Sequence, residues 1–296
     1  MSETQTVPVK EPFVPKQMMA KTAALYKELT GDSSTDAAKH AITHLLSPFT
    51  ADAISKNISF LDIPTPKIHI KRSLNLNLVH DNGCITGEVT KAIMEFHPPD
   101  GIIIQATDRN QYMIDSCRDF ATAGNWPVEA TVMPAQSLTF PDNHFTHSFS
   151  NFFVSHLDEN HDPAAKQAAM AHGEPIERAH LETRGPGVPF PMAMPTHWYG
   201  KDALRNFYLV GGFKENNINI TTCDVYIEAK NLRHLMSATW SFLGARADGW
   251  DPEDEENWDK AVDILVEDIE AGPYYSKLPS GNIALRMVAN VGLATK

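Results

Sequence analysis

Basic charge is in short supply in this chain: 25 Lys and Arg stand against 37 Asp and Glu, a formal net charge of −12. A nucleic-acid backbone or an anionic membrane selects for basic surfaces, so neither is expected as the main partner. Charge does not exclude a small ligand. Cysteine is scarce as well. Cys84, Cys117 and Cys223 are odd in number and far apart, which excludes a disulfide framework and suits a reducing compartment. No apolar run is long enough to span a bilayer, and the polar stretch from Met1 to Gln17 has no apolar signal core. The expectation is a cytoplasmic protein. Internal repeats and low-complexity tracts are also lacking.

What is present is a core. Of 296 residues 42% are apolar, enough for one large α/β domain or two small ones. Residues 1 to 16 read as a flexible tail and 17 to 296 as a single domain. Within it, 17 to 70 reads as an N-terminal helical cap, with apolar residues at helical spacing (Ala23, Leu25, Leu29, then Ala38, Ile42, Leu45) interrupted at Gly31. The chain then alternates: strand Leu74–Val79, helix Glu88–Phe96, strand 101–107, helix Gln111–Ala123, strand Val128–Met133, strand Phe145–Ser150. Alternation of this kind implies a mostly parallel sheet, with ligands beyond the carboxyl ends of its strands. Residues 160 to 200 offer no convincing strand. Asp202–Leu209 reads as a helix, Ile218–Ala229 and Ile283–Thr295 as strands. Residues 231 to 280 read as a helical insertion or lid, in which the acidic run Asp251 to Glu256 is a solvated helix start.

The most informative stretch is Val79-His80-Asp81-Asn82-Gly83-Cys84-Ile85-Thr86-Gly87, a strand ending in an acid, a glycine-bearing turn and a helix start. It resembles the first motif of class I S-adenosylmethionine-dependent methyltransferases, where an acid-ended strand runs into Gly-x-Gly-x-Gly. Three further patches extend the resemblance over much of the chain: Ala106-Thr107-Asp108-Arg109-Asn110-Gln111-Tyr112-Met113, then Met133 to Phe145, then Ser150 to Leu157. The likeness is to the fungal-type small-molecule enzymes of secondary metabolism. It implies an α/β, Rossmann-like class I methyltransferase fold, with helices on both faces of a mostly parallel sheet and a helical lid.

The resemblance also implies S-adenosylmethionine as cofactor and assigns positions to it. Asp81, Gly83, Cys84 and Gly87 lie along the turn, Asp108 at the ribose, Met113 and Ala135 at the adenine, and Arg109, Gln136 and, at the fourth strand end, Asn151 are further cofactor-binding positions. A carboxylate such as Asp108 can accept both ribose hydroxyls. Tyr26, Phe152 and Trp240 fall on the substrate side, and His156 is the candidate general base, its ordinary pKa lying near neutrality. Bland readings stand beside these. Asp108 could cap the next helix, Cys84 could simply pack, and Asn151 could do no more than end its strand. Trp240 could be lid packing, and His156 a structural or surface residue. His40 and His44 share a helix face at metal-ligand spacing but have no third partner, so no metal is expected.

Three departures mark the chain. Ile85 replaces the middle glycine, with either the core or the site to receive its side chain. Pro134 stands where the family usually carries an Asp for the adenine amino group. The Pro-Gly-Gly turn and the fifth strand are not visible. The leading expectation is O- or N-methylation of a small hydrophobic metabolite. The alternatives are a cyclase or pericyclase on the same scaffold, or a non-catalytic binding protein. A homo-oligomer stays open.

Overall fold

The computed structural model describes residues 12–46, 78–98, 100–152, 173–190, 200–246 and 248–295. In chain order these form α1 (Ala23–Thr30), α2 (Ser33–Leu46), β1 (Leu78–Asn82), α3 (Glu88–Glu95), β2 (Ile103–Asp108), α4 (Gln111–Gly124), β3 (Val128–Val132) and β4 (His147–Ser150). Then come α5 (Gly173–Arg184), α6 (Gly200–Val210), β5 (Ile218–Ala229), α7 (Leu232–Leu243), α8 (Pro252–Glu256), α9 (Trp258–Ala271), β6 (Tyr275–Lys277) and β7 (Ile283–Ala294).

Strands β1 to β4 make a parallel sheet in the order β3-β2-β1-β4. The order turns back between β1 and β4, so the turn that leaves β1 opens at the switch point where α/β sheets bind ligands. One face of the sheet is apolar. Val79, Ile104 and Ala106 are buried there against Val89, Ala92 and Ile93 of α3 and Ile114 and Cys117 of α4. The other face carries polar side chains joined across strands: the His80 ring reaches the Thr107 hydroxyl at 2.9 Å through Nε2 and Ser148 at 3.3 Å through Nδ1. Burial pushes that imidazole down to about 4, with His144 adding to the shift, so it is neutral at physiological pH.

The second sheet is antiparallel, order β5-β7-β6, with β5 and β7 paired along twelve residues each. Its inner face (Val225, Ile227, Leu285, Met287) packs on α7 and α9, whose Leu235, Met236, Val262 and Leu265 recur at helical spacing. Each such side chain contributes roughly 1.5–3 kcal/mol by leaving water. Among the described residues β4 pairs with β1 alone, and no parallel strand lies between β4 and β7. The halves meet through the N-terminal helices. The His40 ring on α2 reaches the Thr221 hydroxyl of β5 at 3.2 Å, and Asn151 after β4 donates to the Ser34 carbonyl at 2.7 Å.

Several boundaries differ from expectation. β1 runs on to Asn82, because pairing with β2 and β4 carries it past the apolar run. Helix α5 was not foreseen, since its low apolar content and Pro175 hide it; its buried face is only Pro175, Ile176, Ala179, His180 and Thr183. The three-residue β6 is too short to carry a periodic signal. Residues 12–16 of the expected tail are docked: Phe13 bridges Trp250, and Lys16 pairs with Glu255 at 2.8 Å. The acidic run is a helix start, capped by Asp251 with Asp254 reciprocating, yet Asp254 is buried rather than solvated.

Candidate functional site

The site is built around the turn between β1 and α3. Its anchor is the Thr107 carbonyl of β2, which accepts from the Gly83 N–H at 2.8 Å and the Cys84 N–H at 2.9 Å. Gly83 and Gly87 hold φ of 71° and 98°, the left-handed region that glycine enters without strain. Ile85 sits between them at φ 51°. A β-branched residue there is strained by about 1–3 kcal/mol, so the glycine-type geometry of the turn persists without the glycine. The Ile85 side chain is half-buried. Gly87 is required by its backbone more than by space: at φ 98° an L side chain is strained, whereas a Cβ would meet the Cys117 sulfur and the Phe120 ring at 3.4 Å, the edge of ordinary contact.

Three carboxylates surround this turn. Asp81 is buried, and its Oδ2 accepts from the Thr90 backbone N–H at 3.1 Å and the Thr90 hydroxyl at 2.7 Å, clamping β1 to α3. Burial pushes its carboxyl up to about 7, the Thr90 bonds pulling the other way and the charges of Glu88 and Asp108 adding to the rise. Asp108 ends β2 half-buried. Its Oδ1 accepts from Asn110 N–H at 2.8 Å and its Oδ2 from Ile85 N–H at 3.3 Å, which fixes the group while leaving acceptor capacity on both oxygens. Glu88 opens α3, is 7% exposed, and accepts from the Thr86 hydroxyl. Sequence reading passed it over; its one signal is an acid directly after the last glycine of the turn.

Tyr26 of α1 lies over this group. Burial, then the charges of Glu88 and Asp108, raise its phenol well above the ordinary range. Its helix is pinned there by the Ala23 N–H, which donates to the Tyr112 hydroxyl at 3.2 Å, and its ring is 6.4 Å from Phe242 of the lid. The remaining candidates divide. Met113 is half-buried near the start of α4, and Arg109 is exposed. The Met133 N–H donates to the Asp108 carbonyl at 2.8 Å, which brings the short 3-10 turn with Ala135 and Gln136 beside the β2 end. Phe152 packs at the edge of the lid core at φ 50°, next to Asn151. Cys84 is buried against Cys117, as a packing residue would be. Trp240 is 1% exposed inside the lid, with Arg184 5.0 Å over its ring, and the packing reading is the one its burial fits. His156 lies outside the described residues. Among the described residues no group of three metal-ligating side chains forms.

The turn, the strand-end acid and the sheet order therefore define a class of protein. The model of the methyltransferase domain family matches residues 80–171, the segment that runs from β1 past β4. That segment is similar to a methyltransferase domain, for which the sequence resemblance implies S-adenosylmethionine as cofactor. No curated protein sequence matches at a significant level. Solved structures similar to the chain are distant. The YcgJ protein of Bacillus subtilis is 14% identical, with 74% of this chain and 92% of that one covered, at a TM-score of 0.40. The [4+2]-cyclase SpnF is 14% identical over 73% and 75%, at 0.35, and a SAM-dependent methyltransferase of Aquifex aeolicus is 13% identical over 72% and 82%, at 0.26.

The donor set fits this cofactor. A fixed carboxylate at the β2 end suits vicinal hydroxyls, a left-handed turn brings backbone close to the ligand, and uncompensated carboxylates suit a molecule with a net positive charge. Among the described residues no helix is long and apolar enough to cross a membrane.

Proposed function

We propose that this methyltransferase acts on an oxygen or nitrogen of a small hydrophobic metabolite, as a cytoplasmic enzyme of secondary metabolism. The observation that carries this reading is the apolar cover of the site. Tyr26, Phe242 and Phe152 lie toward the lid, while Lys91 bonds to Asp32 at 3.2 Å and Lys27 to the Gly31 carbonyl at 2.6 Å. A cover of that composition suits an uncharged apolar substrate rather than an anionic one.

When bound, the cofactor supplies an electrophilic methyl on a sulfonium. The chain's own contribution is alignment and proton removal. Asp108 holds the ribose, the Gly83–Gly87 turn and Asn151 orient the amino-acid end, and the Ala135 and Gln136 backbone flanks the adenine. Tyr26 and Phe152 press the substrate onto the site and exclude water. His156, by resemblance, takes the proton from the acceptor atom. The resemblance supports no nucleic-acid or membrane partner, in keeping with the net charge of −12.

The test is twofold. Titration calorimetry with S-adenosylmethionine is expected to give micromolar binding, ~−8 kcal/mol, and incubation with phenolic and amine metabolites is expected to yield a product one methyl heavier. Conversion of a substrate without change of mass would replace methyl transfer with a cyclase chemistry. His156→Ala should lower turnover with little change in cofactor affinity; full activity would remove His156 from the mechanism.

A further inference from the structure

Glu88 is a carboxylate out of water that, among the described residues, a hydroxyl holds. It is 7% exposed, and Thr86 donates to it. The acids beside it are held by neutral groups too, Asp81 by Thr90 and Asp108 by two backbone N–H groups. Lys91, one turn further along α3 from Glu88, is drawn away to Asp32 and Glu95. Withdrawing a carboxylate from water is costly unless a positive charge comes to meet it. The α3 N-terminus offers part of that compensation. Glu88 and Asp108 are both tied to the same turn, Asp108 accepting from the Ile85 N–H at 3.3 Å and Glu88 from the hydroxyl of Thr86, the next residue.

We propose that Glu88 is a specificity-determining residue that reads the charge of the cofactor, so that the site holds the sulfonium form in preference to the thioether left after transfer. The inference rests on the methyl-transfer reading. In that reaction the sulfur–methyl bond breaks with its electron pair staying on sulfur, the methyl carbon bonds the acceptor atom, and the acceptor's proton leaves to a base. The cofactor thus goes from a net charge of +1 to zero at neutral pH. With Glu88 and Asp108 held by neutral partners, the site loses its attraction for the ligand at that moment, and product release is built into the charge balance.

The experiment is calorimetric titration of the full-length protein at low salt with three probes: S-adenosylmethionine, S-adenosylhomocysteine, and sinefungin, which carries an amine in place of the sulfonium. The wild type is expected to bind the two cationic probes at least ~10-fold tighter than the neutral one, about 1.4 kcal/mol. Glu88→Gln keeps the Thr86 hydrogen bond and removes the charge. It should shrink the ratio to within about twofold while leaving S-adenosylhomocysteine affinity in place, an outcome that a purely structural role for Glu88 does not produce. Equal or tighter binding of S-adenosylhomocysteine by the wild type overturns the proposal, and that result needs no variant to fold. An unchanged ratio in a folded Glu88→Gln protein overturns it as well. Absence of binding by all three probes overturns the methyl-transfer reading itself, and this inference with it.

Discussion

Ile85 adopts a backbone conformation that glycine adopts freely, and this reverses the usual ranking of small residues at its position. Ile85→Ala keeps the strain and loses the side chain; Ile85→Gly loses both. The glycine variant should be more stable than the alanine variant by ~1 kcal/mol in urea unfolding, the opposite of the order in ordinary helices and strands. If the side chain narrows the cofactor space, the glycine variant also binds S-adenosylmethionine more tightly, and unchanged affinity would clear the side chain of that role. Asp108→Ala should weaken S-adenosylmethionine binding by about 10- to 100-fold, the worth of charge-assisted hydrogen bonds to the ribose. Asp81 makes a prediction in pH. Its carboxyl is pushed up to about 7 in the fold, against ~3.9 unfolded. The native state therefore holds the proton more firmly, and the stability this gives is complete below pH ~4 and is lost as pH rises to about 7. Asp81→Asn can still accept both Thr90 hydrogen bonds and does not titrate. Its stability relative to wild type should climb by up to ~1.4 kcal/mol per pH unit across that window. A difference that is flat in pH would show that Asp81 is ionised throughout.

At the level of elements, the lid holds an ion pair that is buried on both sides. Arg184 at the end of α5 and Asp254 in α8 meet at 2.6 Å with side chains 2% exposed, the guanidinium lying over Trp240 and Trp250. His180 donates through Nε2 to the Val188 carbonyl at 2.9 Å and accepts from Arg184 through Nδ1 at 2.8 Å. Asp254→Asn leaves a buried cation without its counter-charge and should destabilise the protein by ~3–5 kcal/mol, measured by denaturant unfolding. A loss below 1 kcal/mol would mean that water reaches the pair. This network also marks where sequence reading ended. The strand-turn-helix unit at Asp81 to Glu88 was legible because its signals are local: an apolar run, an acid, glycines, a helix start. The end of β2 and the start of α4 were legible for the same reason; in the structure Asn110, rather than Asp108, caps that helix by accepting from the Tyr112 N–H. Arg184 and Asp254 lie 70 residues apart and each looks like surface charge until α5 and α8 are packed. Helix α5 has few apolar residues to announce it, because one turn of its buried face is polar.

For the whole molecule, composition foretold the architecture better than its completion. Alternating strands and helices predicted the parallel sheet, and the paired runs of β5 and β7 were visible as strands. The sequence shows no fifth strand after β4; what no local pattern could reveal is that α1 and α2 pack on β5 and also on α4 and α3, the helices that cover the parallel sheet. Ligand linkage offers a test at this scale. S-adenosylmethionine at ~100 times its dissociation constant should stabilise the folded protein by ~2.7 kcal/mol if cofactor half and lid unfold as one unit. Two separate thermal transitions, with only one moved by ligand, would show instead that the sheets unfold independently.

The N-terminal segment also imposes an order of events on the making of the protein. Its partners lie far away in sequence: Met19 bonds Ser241 and Lys16 bonds Glu255, separations of 222 and 239 residues. Such contacts are slow to form because a long loop must close before they can repay its entropy. On the ribosome residues 12–46 emerge before β5 and β7, with Leu25, Leu29 and Ala37, which belong to the core those strands complete, uncovered in the meantime. Tyr26 comes to rest over the turn only after that wait. The half of the molecule that bears the cofactor's acids can be synthesised early, but the cover that makes it a closed site is the final step of assembly.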